Sequence, residues 1–239
     1  MARLLDVGDR VCLVTGVGPG TGSALVRRFA GDGYRVAMLA RDGDRLRALA
    51  AAVPGTVAYP VDVADLDALR AVLARVRSEV GAPSVVLHNA VAGGFGTFES
   101  VLPDELEQRF RVNVTALLVL AQELAPAMVA SGRGAIVATG NTSAWRGAAS
   151  FAGFAPTKAA QRILCESLAR TLGPRGVHVA YVVIDAVIDV PWTRRAFPDR
   201  PEEFFIQPAG IADAVHHLVH QERSAWTFQL DLRPFGESW

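Results

Sequence analysis

The 239-residue chain is 51% hydrophobic and 20% charged, and its 24 Lys and Arg balance its 24 Asp and Glu. That composition suits a globular protein with a sizeable core, and with no long basic run it excludes nucleic acid as an expected partner. Cys12 and Cys165 lack metal-site or disulfide-framework spacing, Arg3, Asp6, Asp9 and Arg10 interrupt any signal-peptide core, and no stretch is expected to approach the ~20 apolar residues of a membrane span. A soluble, cytoplasmic protein is the expectation.

In chain order, the apolar run Val11 to Val14 suits a buried parallel strand, and Ser23 to Ala30 repeats its apolar residues at helical spacing. Between them lies Thr15-Gly16-Val17-Gly18-Pro19-Gly20-Thr21-Gly22. Further strands are expected at Arg35 to Ala40, Thr56 to Val61, Ser84 to His88, Ala135 to Thr139, Val177 to Ile184 and Trp226 to Leu230. Helices are expected from Asp42 to Ala52, Asp65 to Val80, Glu105 to Ser131, Pro156 to Leu172 and Ile211 to Gln221. The stretch from Val190 to Pro208, rich in Pro and Phe, reads as less regular. Strict alternation with short links implies one α/β domain over residues 1–239, a doubly wound parallel sheet of about seven strands with helices on both faces.

Ligands of such sheets lie outside the C-terminal strand ends. Glycines there let the backbone approach a pyrophosphate, and the following helix offers free N–H groups. The loop departs from G-x-G-x-x-G but matches T-G-x-x-x-G-x-G, which makes Thr15, Gly16, Gly18, Gly20, Thr21 and Gly22 candidate cofactor-binding residues. After the second strand, Ala40 stands where a carboxylate would hold a ribose 2′-OH, and Arg41 follows; this pair favours NADP(H) over NAD(H). Asp62 ends the third strand, where a carboxylate can accept from an adenine amine, and Asn89-Ala90 ends the fourth, leaving room for adenosine.

With Asp62-Val63, Asn89-Ala90, Asn113 within Arg111-Val112-Asn113-Val114, and Lys158-Ala159-Ala160 following the glycine loop in order, the chain resembles the short-chain dehydrogenase/reductase family from Arg10 to about Leu230. The resemblance implies a Rossmann-type fold, a nicotinamide cofactor held also by Val63, Lys158 and Ile188, a small-molecule substrate, and a homodimer or homotetramer formed through the two long helices. It also implies an active site of Asn, Ser, Tyr and Lys, in which Tyr handles the proton, Lys lowers its pKa, Ser bonds the substrate oxygen and Asn supports a water leading from Lys to solvent. Here Asn113 and Lys158 are present, but Phe154 stands four residues before Lys158, and Asn141 stands where Ser belongs. After the sixth strand, Asp185-Ala186 replaces the family's Pro-Gly and Val190 its Thr, while Ile188-Asp189 and Pro191 fit. The chain is similar to a divergent branch that pairs Phe with Lys.

Phenylalanine cannot donate a proton, and the Asn141 amide can only stabilise an oxyanion. The lost relay is worth about 10²–10⁴-fold on an ordinary ketone. Asp185, if buried, or Lys158 directly, could supply the proton, with Thr142 or Ser143 positioning substrate. The candidate catalytic set is therefore Asn113, Asn141, Phe154, Lys158 and Asp185. An imine or activated alkene relaxes the demand for a donor, so these suit the site better than simple alcohols. A cofactor-binding protein without turnover, or a lyase or cyclase on the same fold, are the alternatives.

His88 reads as a packed histidine. His216 and His220 share a helix face, but no carboxylate motif accompanies them, and no metal is expected. Trp192, Phe197, Phe204 and Phe205 fall in the substrate-covering segment 190–208, either lining an apolar pocket or packing as a lid on the core.

Overall fold

A computed structural model describes residues 10–236. The elements run β1 (Val11–Thr15), α1 (Thr21–Gly31), β2 (Arg35–Ala40), α2 (Gly43–Ala52), β3 (Thr56–Pro60), α3 (Leu66–Glu79), β4 (Val85–His88), α4 (Pro103–Phe110), α5 (Ala116–Ala130) and β5 (Gly134–Gly140). There follow α6 (Ala155–Leu172), β6 (Val177–Ile184), β7 (Val187–Ile188), α7 (Pro191–Ala196), β8 (Phe205–Ile206), α8 (Pro208–Val219) and β9 (Gln229–Leu232). Seven strands form one sheet in the order β3-β2-β1-β4-β5-β6-β9, and every pair in it is parallel. The doubly wound α/β architecture read from alternation is the one found.

Alternation along each strand sends side chains to two cores. In β1, Val11 and Leu13 join α3 and α5 (Leu69, Leu73, Leu117, Leu120) on one face. Cys12 and Val14 join α1, α2 and α8 (Leu25, Phe29, Leu46, Val215) on the other. Because both faces are covered, the strands carry continuous apolar runs. The order reverses between β1 and β4, and that switch point opens the crevice in which ligands of such sheets bind.

Four expectations change. The long helix starts at Pro103, which suits a first turn, and is interrupted by a π-helical turn at Arg111–Thr115. The last strand lies later than its apolar signal, because Trp226 stacks on His178 at 4.8 Å and pairing with β6 starts at Tyr181–Gln229. The 190–208 stretch contains α7, and its β8 pairs in parallel with β7. Finally, Pro103–Ala130, at 28 residues, is long and apolar enough to cross a membrane, contrary to the expectation that no stretch would be. Half of its most apolar window is buried within the fold, where Leu117, Leu120 and Leu124 face the sheet core; core packing accounts for the composition.

Leu120 is fully buried. Leu120→Ala should lower unfolding stability by about 2–5 kcal/mol in a urea titration, through lost transfer energy and a residual cavity. A loss under 1 kcal/mol would show that this helix face is not core.

Candidate active site

The glycine loop is held by close backbone approach. Gly16 has φ +69°, and a Cβ on it would lie 2.5 Å from Ala90 Cα; one on Gly22 would lie 2.4 Å from the Gly16 carbonyl oxygen. Asn89 Nδ2 donates to that same carbonyl at 2.9 Å, and Asn89 Oδ1 accepts from Thr139 Oγ1 at 3.1 Å. Asn89 thus braces the loop across the switch point. His88 is a packed residue: its Nδ1 pairs with Thr15 Oγ1, its Nε2 with the Val112 carbonyl, and burial holds its pKa down near 3.

A cleft of about 740 Å³ opens above the loop. It is lined by Gly16, Gly18, Gly20, Thr21 and Gly22, by Arg41 and Asp62-Val63 at one side, and by Asn89-Ala90, Ile188 and Val190 at the other. A Cβ on Gly18 would meet nothing within 4 Å, whereas one on Gly20 would strike Val190 at 2.5 Å. Thr21 Oγ1, at the first turn of α1, is buried without a hydrogen-bond partner. An orphaned hydroxyl beside the free N–H groups of a helix start, over glycines that leave room, fits a phosphate group. Asp62 Oδ1 accepts from Ala64 N at 2.9 Å, which fixes its carboxylate at the Arg41 end of the cleft. Arg45, which the sequence reading missed, also lines this end and pairs with Asp42 at 2.9 Å.

The π-helical turn turns Asn113 inward, where it is fully buried. Its Oδ1 accepts from Ala92 N, and its Nδ2 donates to the Ala92 carbonyl and to Thr157 Oγ1 at 2.8 Å. This clamps the loop after β4 to α6. Lys158 is buried on the same helix, donating to the Thr139 carbonyl at 3.1 Å and to Gln161 Oε1 at 2.9 Å. Gln161 Nε2 in turn donates to the Asn113 carbonyl at 2.7 Å. The Gln161 amide therefore bridges Lys158 and the backbone of Asn113. An i,i+3 position after Lys158 was the signal available for it. No carboxylate offsets the burial of Lys158, so its pKa falls to about 8.

Phe154 presents its ring 5.8 Å from Lys158 Nζ, packed by Phe151 at 6.0 Å. Asn141 Oδ1 caps the turn after β5 by accepting from Ser143 N, which leaves its NH₂ as the group able to meet substrate. Tyr181 does not replace the missing phenol: it is fully buried, and burial raises its pKa. Nor is Asp185 the buried free acid expected of it. Its Oδ2 accepts from Arg233 Nε at 3.0 Å, because β9 runs beside β6 and carries Arg233 across. In the 190–208 stretch Trp192 lines the cleft, while Phe197, Phe204 and Phe205 pack on one another. Arg194, stacked over Phe205 at 4.1 Å, grips both carboxylate oxygens of Asp189 and holds that carboxyl down near 2.

The family model described as short chain dehydrogenase matches residues 10–200. The chain is 31% identical to an L-xylulose reductase of Mesocricetus auratus over 233 residues, covering 93% of this chain and 94% of that protein. It is 32% identical over 180 residues to a D-xylose 1-dehydrogenase of Caulobacter vibrioides, covering 74% of this chain and 71% of that one. A metagenomic short-chain oxidoreductase, solved in complex with NADP, superposes with a TM-score of 0.83 at 28% identity, covering 96% of this chain and 98% of that one. With its nicotinamide-cofactor cleft and its Asn113–Lys158 pair, this chain is an oxidoreductase that belongs to the short-chain dehydrogenase family.

Proposed function

We propose that the protein is an NADP(H)-dependent reductase with an atypical active site, transferring hydride to a carbonyl, imine or activated alkene of a small apolar substrate. The observation that carries the reading is Phe154 against Lys158 beside an intact cofactor cleft. Arg41 and Arg45 at the adenosine end, with no acidic residue at Ala40, support preference for a 2′-phosphate. When bound, the cofactor supplies the hydride. Thr21 and the α1 N-terminus would hold its phosphates, and Asp62-Val63, Ala90 and Ile188 would flank it.

On the substrate side, Phe154 and Trp192 exclude water, and the Asn141 NH₂ steadies a developing negative charge. An apolar cavity of about 610 Å³ beside this loop, lined by Phe98, Ser143, Trp145 and Phe151, supports an apolar substrate. Lys158 is the proton source of this reading, with Gln161 and the Thr139 carbonyl holding it in place. Segment 190–208 covers the substrate, and exposed Leu118 and Ile163 on α5 and α6 are the faces through which copies pair in a cytoplasmic homo-oligomer.

Fluorescence titration should show NADPH binding at least tenfold tighter than NADH, a preference that Arg41→Ala reduces. Absence of binding by either would overturn the oxidoreductase site itself. The double variant Phe154→Tyr with Asn141→Ser should gain about 10²–10⁴-fold in ketone reduction; wild-type turnover of a simple secondary alcohol equal to that of imines or enones would count against the proposed substrate class. Burial lowers the Lys158 pKa from 10.5 to about 8, so between these values the unfolded chain binds more protons than the folded one. Stability of the wild type relative to Lys158→Met should therefore rise with pH across that window. A flat difference would mean that Lys158 is solvated.

A further inference from the structure

Far from the cleft, at the opposite end of β2, the ends of two helices bring two imidazoles and a carboxylate together. Asp32 caps the C-terminus of α1, while His216 and His220 lie one turn apart at the end of α8. Among the described residues, this cluster places one ligand atom from each side chain within 4.8 Å of the others. Asp32 Oδ2 lies 3.0 Å from His216 Nε2 and 3.8 Å from His220 Nε2. A tetrahedral ion with bonds near 2.0–2.2 Å separates its ligand atoms by about 3.3 Å, a value that these two distances bracket.

His220 Nδ1 donates to the His216 carbonyl at 2.7 Å, so its Nε2 carries the lone pair that accepts from Tyr34 Oη at 3.0 Å, while His216 Nε2–H donates to Asp32 Oδ2 at 3.0 Å. A cation in this space would replace the proton between His216 Nε2 and Asp32 Oδ2 and take up the His220 Nε2 lone pair. The Nδ1–H to carbonyl bond is the outer contact by which ligating histidines are oriented. Tyr34 Oη, which donates to His220 Nε2 at 3.0 Å, would give up that bond to the ion, and a water would fill the fourth position. His216 Nδ1 faces Arg28 Nη2 at 3.0 Å, and Arg28 Nε is bound to Asp213 at 2.7 Å. Ligation by His216 Nε2 moves that ring's proton to Nδ1 and turns the Arg28 fork toward Asp213. Arg10 Nη1 lies 3.5 Å from the same Asp32 Oδ2 and donates to the Asp32 carbonyl at 3.0 Å.

We propose that Asp32, His216 and His220 form a structural site for a first-row divalent cation, zinc above all, which staples the end of α8 to the turn between α1 and β2. Imidazole donors select such ions over Mg²⁺ and Ca²⁺, which take oxygen ligands. The site's distance from Arg41, at the other end of β2, separates it from cofactor binding.

The test is a titration of tag-free, chelator-stripped protein with Co²⁺, followed by its visible d–d bands, then displacement by Zn²⁺, with melting temperature measured alongside. One equivalent should bind with a tetrahedral spectrum, and Zn²⁺ but not Mg²⁺ should raise the melting temperature. His220→Ala and Asp32→Asn should each weaken Zn²⁺ binding at least tenfold, while His217→Ala, an exposed neighbour, leaves it unchanged; unaltered circular dichroism verifies that each variant folds. A missing cobalt spectrum, or binding equally tight in His220→Ala and Asp32→Asn, overturns the proposal.

Discussion

The cleft depends on one close approach, that of the Gly16 backbone to Ala90 across the switch point. A side chain at Gly16 would occupy the space of the neighbouring strand end, and Gly22 must pass within contact of the Gly16 carbonyl. Only glycine at these positions lets the chain leave β1, turn and enter α1 with the helix start aimed at the crevice. Asn89 then locks the geometry from the β4 side. The surface of the cleft is therefore a consequence of backbone packing, with Gly18 and Thr21 left to line it.

A second, buried network stands beside it. Asn113, Thr157, Gln161 and Lys158 satisfy one another with the backbones of Ala92 and Thr139. Buried polar groups are costly unless fully paired, so this network fixes the placement of α6 against the π-helical turn. The same pairing isolates Lys158. Its hydrogen-bond partners are a carbonyl and an amide, a phenyl ring faces it, and buried His88 and Cys165 are near enough to feel its charge. On the proposed reading, hydride chemistry next to such a group favours substrates that ask little of a proton donor.

Asp185 and Asp32 make an instructive pair. Asp185 follows a strand, near the expected chemistry, and is occupied by Arg233. Asp32 is an unremarked residue at a helix end, and it meets two histidines more than a hundred residues away in sequence. Long-range charge pairing decided both environments.

The order of strands and helices, the two-faced sheet, the glycine loop and the place of Phe154 four residues before Lys158 were all legible in the sequence, because each is written in local periodicity or in residue identity at fixed spacing. Arg41 and Lys158 were legible for the same reason. The π-helical turn under Asn113, the Gln161 bridge, the engagement of Asp185 and the carboxylate beside His216 were not. Each depends on which side chains meet after the sheet closes, and one residue of extra winding or a shifted strand start changes those meetings. Tertiary packing alone decided them, since it sets the distances over which hydrogen bonds and charges act.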